Sequence, residues 1–477
     1  ILPAAPVVQR PTSLSAAKLT PGEWWMGIYL GANKLGYAHV TTALAGKNPG
    51  EGYRVRSSTF TRTAVLGYAL EQHVETDEVL DGGLRPVTLH VRIVSAGKEV
   101  EVSARYRADE VELERRAGND VLRKLIPIPA GANLVADMET ALRQRQVRPG
   151  EPWRYTFLNV VTLELEEATT TAVGEERVEV DGRTHTVSVL RTTSATIDAT
   201  AWLLPNGEPV KMVMAPGLTM VREPREKALS GVEAGPYDPG RDLAKQTAVQ
   251  TVGSVPVPGR VKFLRLRVEG IPERRFVLSD FRQRAQITSP EGRVPLTVEY
   301  AVNAEAEAPL TALSPAERAA LLQPSPYLQV DHPEIQAASR QAVGDAGDDT
   351  SRVQALWKWV HQNVRTGGEI GLARSALEVL HDPVGMCRDY ATLYAALARA
   401  AGIPTRVCAG IVYFQDRFYY HVWAESHAGG RWIPVDPTAP AGFVDATRVK
   451  FAEGDVAAVY GAVKIVGRLA AEILESR

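Results

Sequence analysis

Turn signals recur at short intervals between residues 23 and 223: Gly31-Ala32-Asn33-Lys34, Asp81-Gly82-Gly83, Ala96-Gly97-Lys98, Gly118-Asn119, Asp181-Gly182 and Asn206-Gly207. Between them, residues 100–106 and 178–189 alternate apolar with polar side chains. A period of two buries one face of a strand, and turns of this chemistry join antiparallel neighbours. The spacing predicts a large antiparallel β meander or half-barrel. One helix, about residues 133–146, interrupts it, and the sheet is expected to curl around that helix. The first reading of such a sheet is a scaffold that positions the C-terminal domain, ahead of a lipid-binding groove.

At 477 residues the chain exceeds one ordinary core, and two to four domains are expected. The fold class predicted is α+β and multidomain. Residues 1–230 form the β-rich domain with its one helix. Residues 231–310 combine a linker, marked by Gly235-Pro236 and Asp238-Pro239-Gly240, with a small β-rich domain whose strands include residues 263–268 and 294–302. Residues 311–450 form an α+β core, and residues 451–477 a tail that packs on it or on the β domain. Ser314-Pro315-Ala316-Glu317 predicts a helix start with a capping box. Residues 350–364 carry Val353, Leu356, Trp357 and Val360 on one helical stripe, read as core. Residues 445–451 are expected to return as a strand, and residues 455–474 as a helix followed by a strand.

Charge excludes two classes of partner. With 54 basic and 56 acidic residues, formal net charge is -2, which gives no electrostatic reason to bind nucleic acid or an anionic membrane. The sequence holds no run of eighteen apolar residues, so no transmembrane segment is predicted.

The core segment carries the chemistry. Tyr390, Leu393, Tyr394, Leu397 and Ala401 recur every three or four residues, predicting a helix over residues 387–401 that Gly402-Ile403-Pro404 ends. Cys387 falls in its first turn, where unpaired N-H groups and the positive end of the helix dipole favour a thiolate and can hold an oxyanion. Asp389 is an acid where the dipole favours one, and is also placed to modulate the thiol. Residues 418–425 and 431–435 read as strands joined by His427-Ala428-Gly429-Gly430 as a tight turn. A hairpin centred between Ala428 and Gly429 puts His421 directly opposite Asp436, within reach of a hydrogen bond. An extra residue in the turn would send Asp436 to the other face. Each residue has a plainer reading: a buried cysteine, a core histidine, a turn aspartate. Cys408, in an apolar run, is read as core. His332, His361, His381 and His427 form no metal-ligand spacing with the cysteines, and no metal site is predicted.

Residues 350–438 resemble the transglutaminase-like core of bacterial proteins. The blocks Gly385-Met386-Cys387-Arg388-Asp389-Tyr390-Ala391, the alanine-rich helix, Arg399 to Val407, His421-Val422-Trp423-Ala424-Glu425 and Trp432-Ile433-Pro434-Val435-Asp436-Pro437-Thr438 occur in family order. The resemblance implies a papain-like helix on an antiparallel sheet, with Cys387 as nucleophile, His421 as base and Asp436 as orienting acid. It also implies a protein or peptide substrate, a primary-amine or water acceptor, and no cofactor. The sequence departs from the family at Asn363-Val364-Arg365-Thr366, where relatives often place an aromatic residue, so the second oxyanion donor is left open. The N-terminal part is similar, more distantly, to the half-barrels of bacterial lipoprotein-carrier-like proteins. Together with the start Ile1-Leu2-Pro3-Ala4-Ala5-Pro6, without methionine, the resemblance suggests a processed, extracytoplasmic product. The rival expectation is a non-catalytic cell-envelope binding or scaffold protein that keeps the fold.

Overall fold

The computed structural model describes residues 19–95, 97–136, 140, 150–180, 182–232, 238–367, 373–440, 442 and 444–477. Its first part is the expected run of hairpins. Among the described residues, fourteen strands form one antiparallel sheet. Eight run in sequence order from Gly22–Leu30 to an edge at Asp120–Pro127. Six more run from the opposite edge, Trp153–Asn159, to Leu218–Arg222, which pairs with Gly22–Leu30. Among the described residues no ladder joins the two edges. The alternation predicted for residues 100–106 appears as buried Val100, Val102 and Ala104 in the strand Lys98–Tyr106.

The helix expected over residues 133–146 is not seen at its start. Asn133–Ala136 instead runs beside the strand Trp153–Asn159: Leu134 bridges Thr156, the Val135 N-H donates to the Thr156 carbonyl, and the Thr156 N-H donates to that of Asn133. Backbone pairing with a neighbouring strand wins over local helix preference there. Apart from Thr140, the remainder of that segment lies outside the described residues.

The helix Arg225–Leu229 closes the β-rich part, and the stretch read as a linker contains a second helix, Leu243–Thr247, and the strand Gln250–Val252. Asp242 anchors it. Its buried carboxylate caps the second helix through the Lys245 N-H and also accepts the N-H groups of Leu66 and Gly67 from a hairpin tip in the large sheet. A five-stranded sheet comes next, in the order Gln250–Val252, Ala470–Ser476, Phe263–Ile271, Leu296–Asn303, Gln283–Ile287. The strand expected near the C-terminal side of the sequence therefore exists and lies inside this sheet.

Ser314 caps the helix Pro315–Ala320 through the capping box read from the sequence. The core beyond it has helix α1 (Asp349–Asn363) and helix α2 (Cys387–Ala400) beside a four-stranded sheet. Its strands are β1 (Thr405–Phe414), β2 (Arg417–Ala428), β3 (Arg431–Val435) and β4 (Val449–Gly454), in the spatial order β3-β2-β1-β4. One apolar core runs through the fourteen-, five- and four-stranded sheets, joining Val102, Val298 and Ile411. Polar contacts reinforce it: an Arg115 guanidinium N-H from the large sheet donates to Glu378 at 3.0 Å and to the Ala373 carbonyl at 3.2 Å. Among the described residues no helix is long and apolar enough to cross a membrane.

Candidate active site

Helix α2 forms because Tyr390, Leu393, Tyr394 and Leu397 bury one stripe and small residues at Ala391, Ala395, Ala396 and Ala398 let the sheet approach closely. Gly402, at φ 79°, ends it as predicted. Asp389 folds back so that its carboxylate accepts the Met386 N-H at 2.9 Å, half of a capping box. This return requires Gly385, since a Cβ there would lie 2.6 Å from the Asp389 side chain. Asp389 thus fixes the first turn, and Cys387 is its first helical residue.

Strand β3 ends at Val435, paired with Ala424. Beyond that point the Val422 N-H is free of β3, and the half-buried Cys387 thiol accepts from it. Burial pushes the thiol's pKa up. The hydrogen bond to His421, the imidazole charge and the Val422 N-H outweigh burial and hold it below the usual thiol range. Cys408 is fully buried in β1, and burial, followed by the charge of Glu425, raises its pKa well above that range. Native protein treated with iodoacetamide at neutral pH should therefore be carboxamidomethylated at Cys387 at least about tenfold faster than at Cys408. Peptide mapping of a time course would read this, and prior labelling of Cys408 would refute the assignment of exposure.

His421 lies in β2 opposite Gly410. Gly410 is required there: a Cβ would fall 1.9 Å from the Val449 carbonyl oxygen and 2.9 Å from the Trp423 ring. Trp423 stacks loosely beside the imidazole, with centroids 6.3 Å apart and planes at 20°. The β2–β3 turn is Gly429-Gly430, both at positive φ, as a two-residue hairpin turn demands. His427 and Ala428 belong to the strand. The expected register is thus corrected by two residues. Ala428 pairs with Arg431 and Ala424 with Val435, which, continued, sets Asp436 against Trp423. A shift of two preserves the face, so His421 and Asp436 still meet on the diagonal.

His421 Nε2 and Asp436 Oδ2 are 2.8 Å apart. With Nε2 engaged, Nδ1 is the ring nitrogen left for the thiol. Asp436 is fully buried. Its Oδ1 accepts the Thr438 N-H at 3.0 Å and the Thr438 hydroxyl at 2.6 Å. Its Oδ2 also accepts Arg448 Nε at 2.9 Å and Nη2 at 2.7 Å. Burial works against the Asp436 charge, but His421, Arg448 and Thr438 hold the carboxyl far below the usual carboxylate range. Burial likewise works against the imidazolium, and the Asp436 charge and hydrogen bond, with the Cys387 hydrogen bond, raise His421 to about 9. Raised from about 6.5 in the unfolded chain, this group contributes stability fully below pH 6.5 and loses it as pH rises through 9.

Helix α1 secures the turn after Asp436. His361 Nδ1 lies 3.0 Å from the Pro437 carbonyl oxygen, and Trp357 Nε1 donates to that of Ala439 at 3.3 Å. Val353, Leu356 and Val360 are buried as the stripe predicted, while Trp357 is partly exposed and serves this turn. Sequence reasoning does not single out Arg448 or Asp445. Asp445-Ala446-Thr447 repeats the spacing of Asp436-Pro437-Thr438, and Thr447 binds Asp445 Oδ1 just as Thr438 binds Asp436. That repeat is the available signal for Asp445; Arg448 has none. At the segment where relatives carry an aromatic residue, Arg365–Thr366 pairs in parallel with Val384–Gly385, and Tyr390 donates to the Val364 carbonyl at 2.7 Å. Among the described residues, no three His, Cys, Asp or Glu side chains are grouped to hold a metal ion.

A thiol at a helix start and an imidazole in contact with a buried carboxylate come together on an α+β core. Residues 336–437 match the model of the transglutaminase-like superfamily, and the chain carries a transglutaminase-like domain there. It is 27% identical over 123 residues to the kyphoscoliosis peptidase of Mus musculus, a match covering 22% of this chain and 18% of that protein. The chain thus spans about a fifth of the length of that curated relative. Among solved structures it is similar to the periplasmic domain of TgpA from Pseudomonas aeruginosa, with 18% identity, TM-score 0.27, and coverage of 38% of this chain and 89% of that one. It is also similar to a β-barrel-like protein of unknown function from Brucella abortus, with 14% identity, TM-score 0.31, and coverage of 43% and 96%.

Proposed function

We propose that the protein transfers acyl groups through a thioester on Cys387. The observation that carries this reading is the His421 imidazole, 2.8 Å from buried Asp436 and near enough to the Cys387 thiol that each group shifts the other's pKa. The Cys387 thiolate attacks the carbonyl carbon of a glutamine carboxamide or a peptide bond. The oxyanion forms beside the Cys387 N-H at the start of α2. The His421 imidazolium gives its proton to the departing ammonia or amine, and the C–N bond breaks to leave the thioester. An acceptor then attacks the thioester, its proton returns to His421, and the thiolate departs. A primary-amine acceptor makes a transglutaminase; water makes an amidase or peptidase. In this reading the large N-terminal sheet is the scaffold that fixes the core through Arg115 and Glu378. An extracytoplasmic place of action belongs to it on the family resemblance alone.

Mass spectrometry of the purified protein with a peptide pool and a tagged primary amine tests the proposal. Tagged peptides with loss of ammonia identify transfer, and cleaved or deamidated peptides identify hydrolysis. A pool unchanged under conditions where Cys387 alkylates readily favours instead a cell-envelope binding protein that keeps the fold.

A further inference from the structure

Three N-H groups converge on one oxygen of Asp436: His421 Nε2 at 2.8 Å, Arg448 Nε at 2.9 Å and Arg448 Nη2 at 2.7 Å. The same guanidinium turns its remaining terminal nitrogen, Nη1, to Asp445 Oδ1 at 2.7 Å. Asp445 is itself locked, with Oδ1 taking the Thr447 N-H and hydroxyl and Oδ2 the Gly259 N-H at 2.8 Å. Both carboxylates are fully buried, and the Arg448 side chain is 10% exposed. One guanidinium therefore bridges two buried anions, and a second buried cation, Arg282, lies on the Asp445 side, donating to the Val444 carbonyl at 2.7 Å and the Asp445 carbonyl at 2.9 Å. If Asp445 were neutral, Arg448 alone would balance Asp436 and leave the imidazolium only the Cys387 thiolate as counter-ion. If Arg448 were neutral, the whole Asp436 charge would act on the ring. Arg448 lies beyond the matched family segment in sequence and just before β4.

We propose that Arg448 is a positioning residue that sets how much of the Asp436 charge reaches His421, with Asp445 as its counterweight. The inference rests on reading Cys387, His421 and Asp436 as the working group. The charged or titratable groups facing the imidazole are Cys387 from α2 and Asp436 from the end of β3; Arg448 and Asp445 act through Asp436, and Arg388, beside the thiol, donates to the Tyr460 hydroxyl at 3.0 Å.

The test is the pH profile of Cys387 alkylation by iodoacetamide in the full chain. A thiolate beside imidazolium and one beside neutral imidazole react at different rates, so the upper inflection reports loss of the ring proton from the coupled pair. Arg448→Met should move that inflection up by about one unit, and Asp445→Asn should move it down by a similar amount. Arg448→Lys should lie close to the wild type. Loosened packing would affect both variants alike, so shifts of opposite sign support the inference, and shifts of the same sign or no shift in either variant overturn it. Because the readout is thiol reactivity, opposite shifts in a protein that turns over no substrate would retain this inference while sinking the proposed function.

Discussion

Cys387→Ala is expected to lower acyl-transfer activity by a factor on the order of 10⁵ while leaving the fold intact. Removing the proposed nucleophile deletes the proposed covalent path, and what survives is the modest catalysis that binding and an oxyanion site provide without it. The fold should tolerate the change because Cys387 is the first residue of α2, only half-buried, and alanine is a good helix former. The expected stability change is within about 1 kcal/mol. Turnover of whichever donor the mass-spectrometric screen identifies, compared with thermal unfolding of both proteins, checks the two halves together. Activity retained in the alanine variant would end the mechanism proposed for this site.

Lys450→Met should cause the largest loss of stability, about 3–5 kcal/mol. The ammonium, 3% exposed, lies 2.9 Å from Glu425, 2.7 Å from Asp280 and 2.7 Å from Glu453. Arg406 binds Glu425 at 2.6 Å and packs 4.0 Å over the Trp432 ring. Glu425 is on the face of β2 that carries His421 and Trp423, so the cluster ties the histidine strand to β4. Without Lys450 the Glu425 and Glu453 carboxylates are left sharing the Arg406 guanidinium, and Asp280 loses the ammonium that holds its pKa below the usual range against burial. A loss of this size is a large part of a typical domain's net stability. Denaturant unfolding of the variant measures it, and Asp280→Asn in the same chain should restore part. A variant as stable as the wild type would show that the cluster is solvated and carries little. Since burial opposes the Glu425 and Asp280 charges and Lys450 outweighs it, their contribution is present above the ordinary carboxylate pKa and fades as pH falls through the depressed values.

Much of this was legible because it is local. Hairpin turns, helix stripes and caps depend on residues two to four positions apart, and the large sheet, α2 and the Ser314 cap came from them. The β2–β3 register was misplaced by two residues because His427 and Ala428 look like turn residues in isolation. In the molecule His427 Nε2 lies 2.8 Å from the Thr311 carbonyl oxygen and its ring packs on Trp432, and those contacts hold it in the strand. The contact between His421 and Asp436 survived the error because an even offset leaves the face unchanged. Arg448 was invisible for the opposite reason: its value comes from two carboxylates that only folding brings to one guanidinium. The same holds for Asp242, whose partners in the large sheet are more than a hundred and seventy residues away.

The strand Ala470–Ser476 lies between Gln250–Val252, to which it is parallel, and Phe263–Ile271, to which it is antiparallel. Both neighbours precede the transglutaminase-like segment in sequence, and this strand comes after it. On the ribosome the middle sheet must wait, with a gap beside Phe263–Ile271, until the entire thiol-bearing core has been made. Among the described residues the large sheet contains no later strand, so it can form early. An order of synthesis is thereby written into the topology: the five-stranded sheet can be completed only after the transglutaminase-like segment has been made. A nascent chain stalled before Ala470 should expose the buried edge of Phe263–Ile271, a ready template for pairing with another chain.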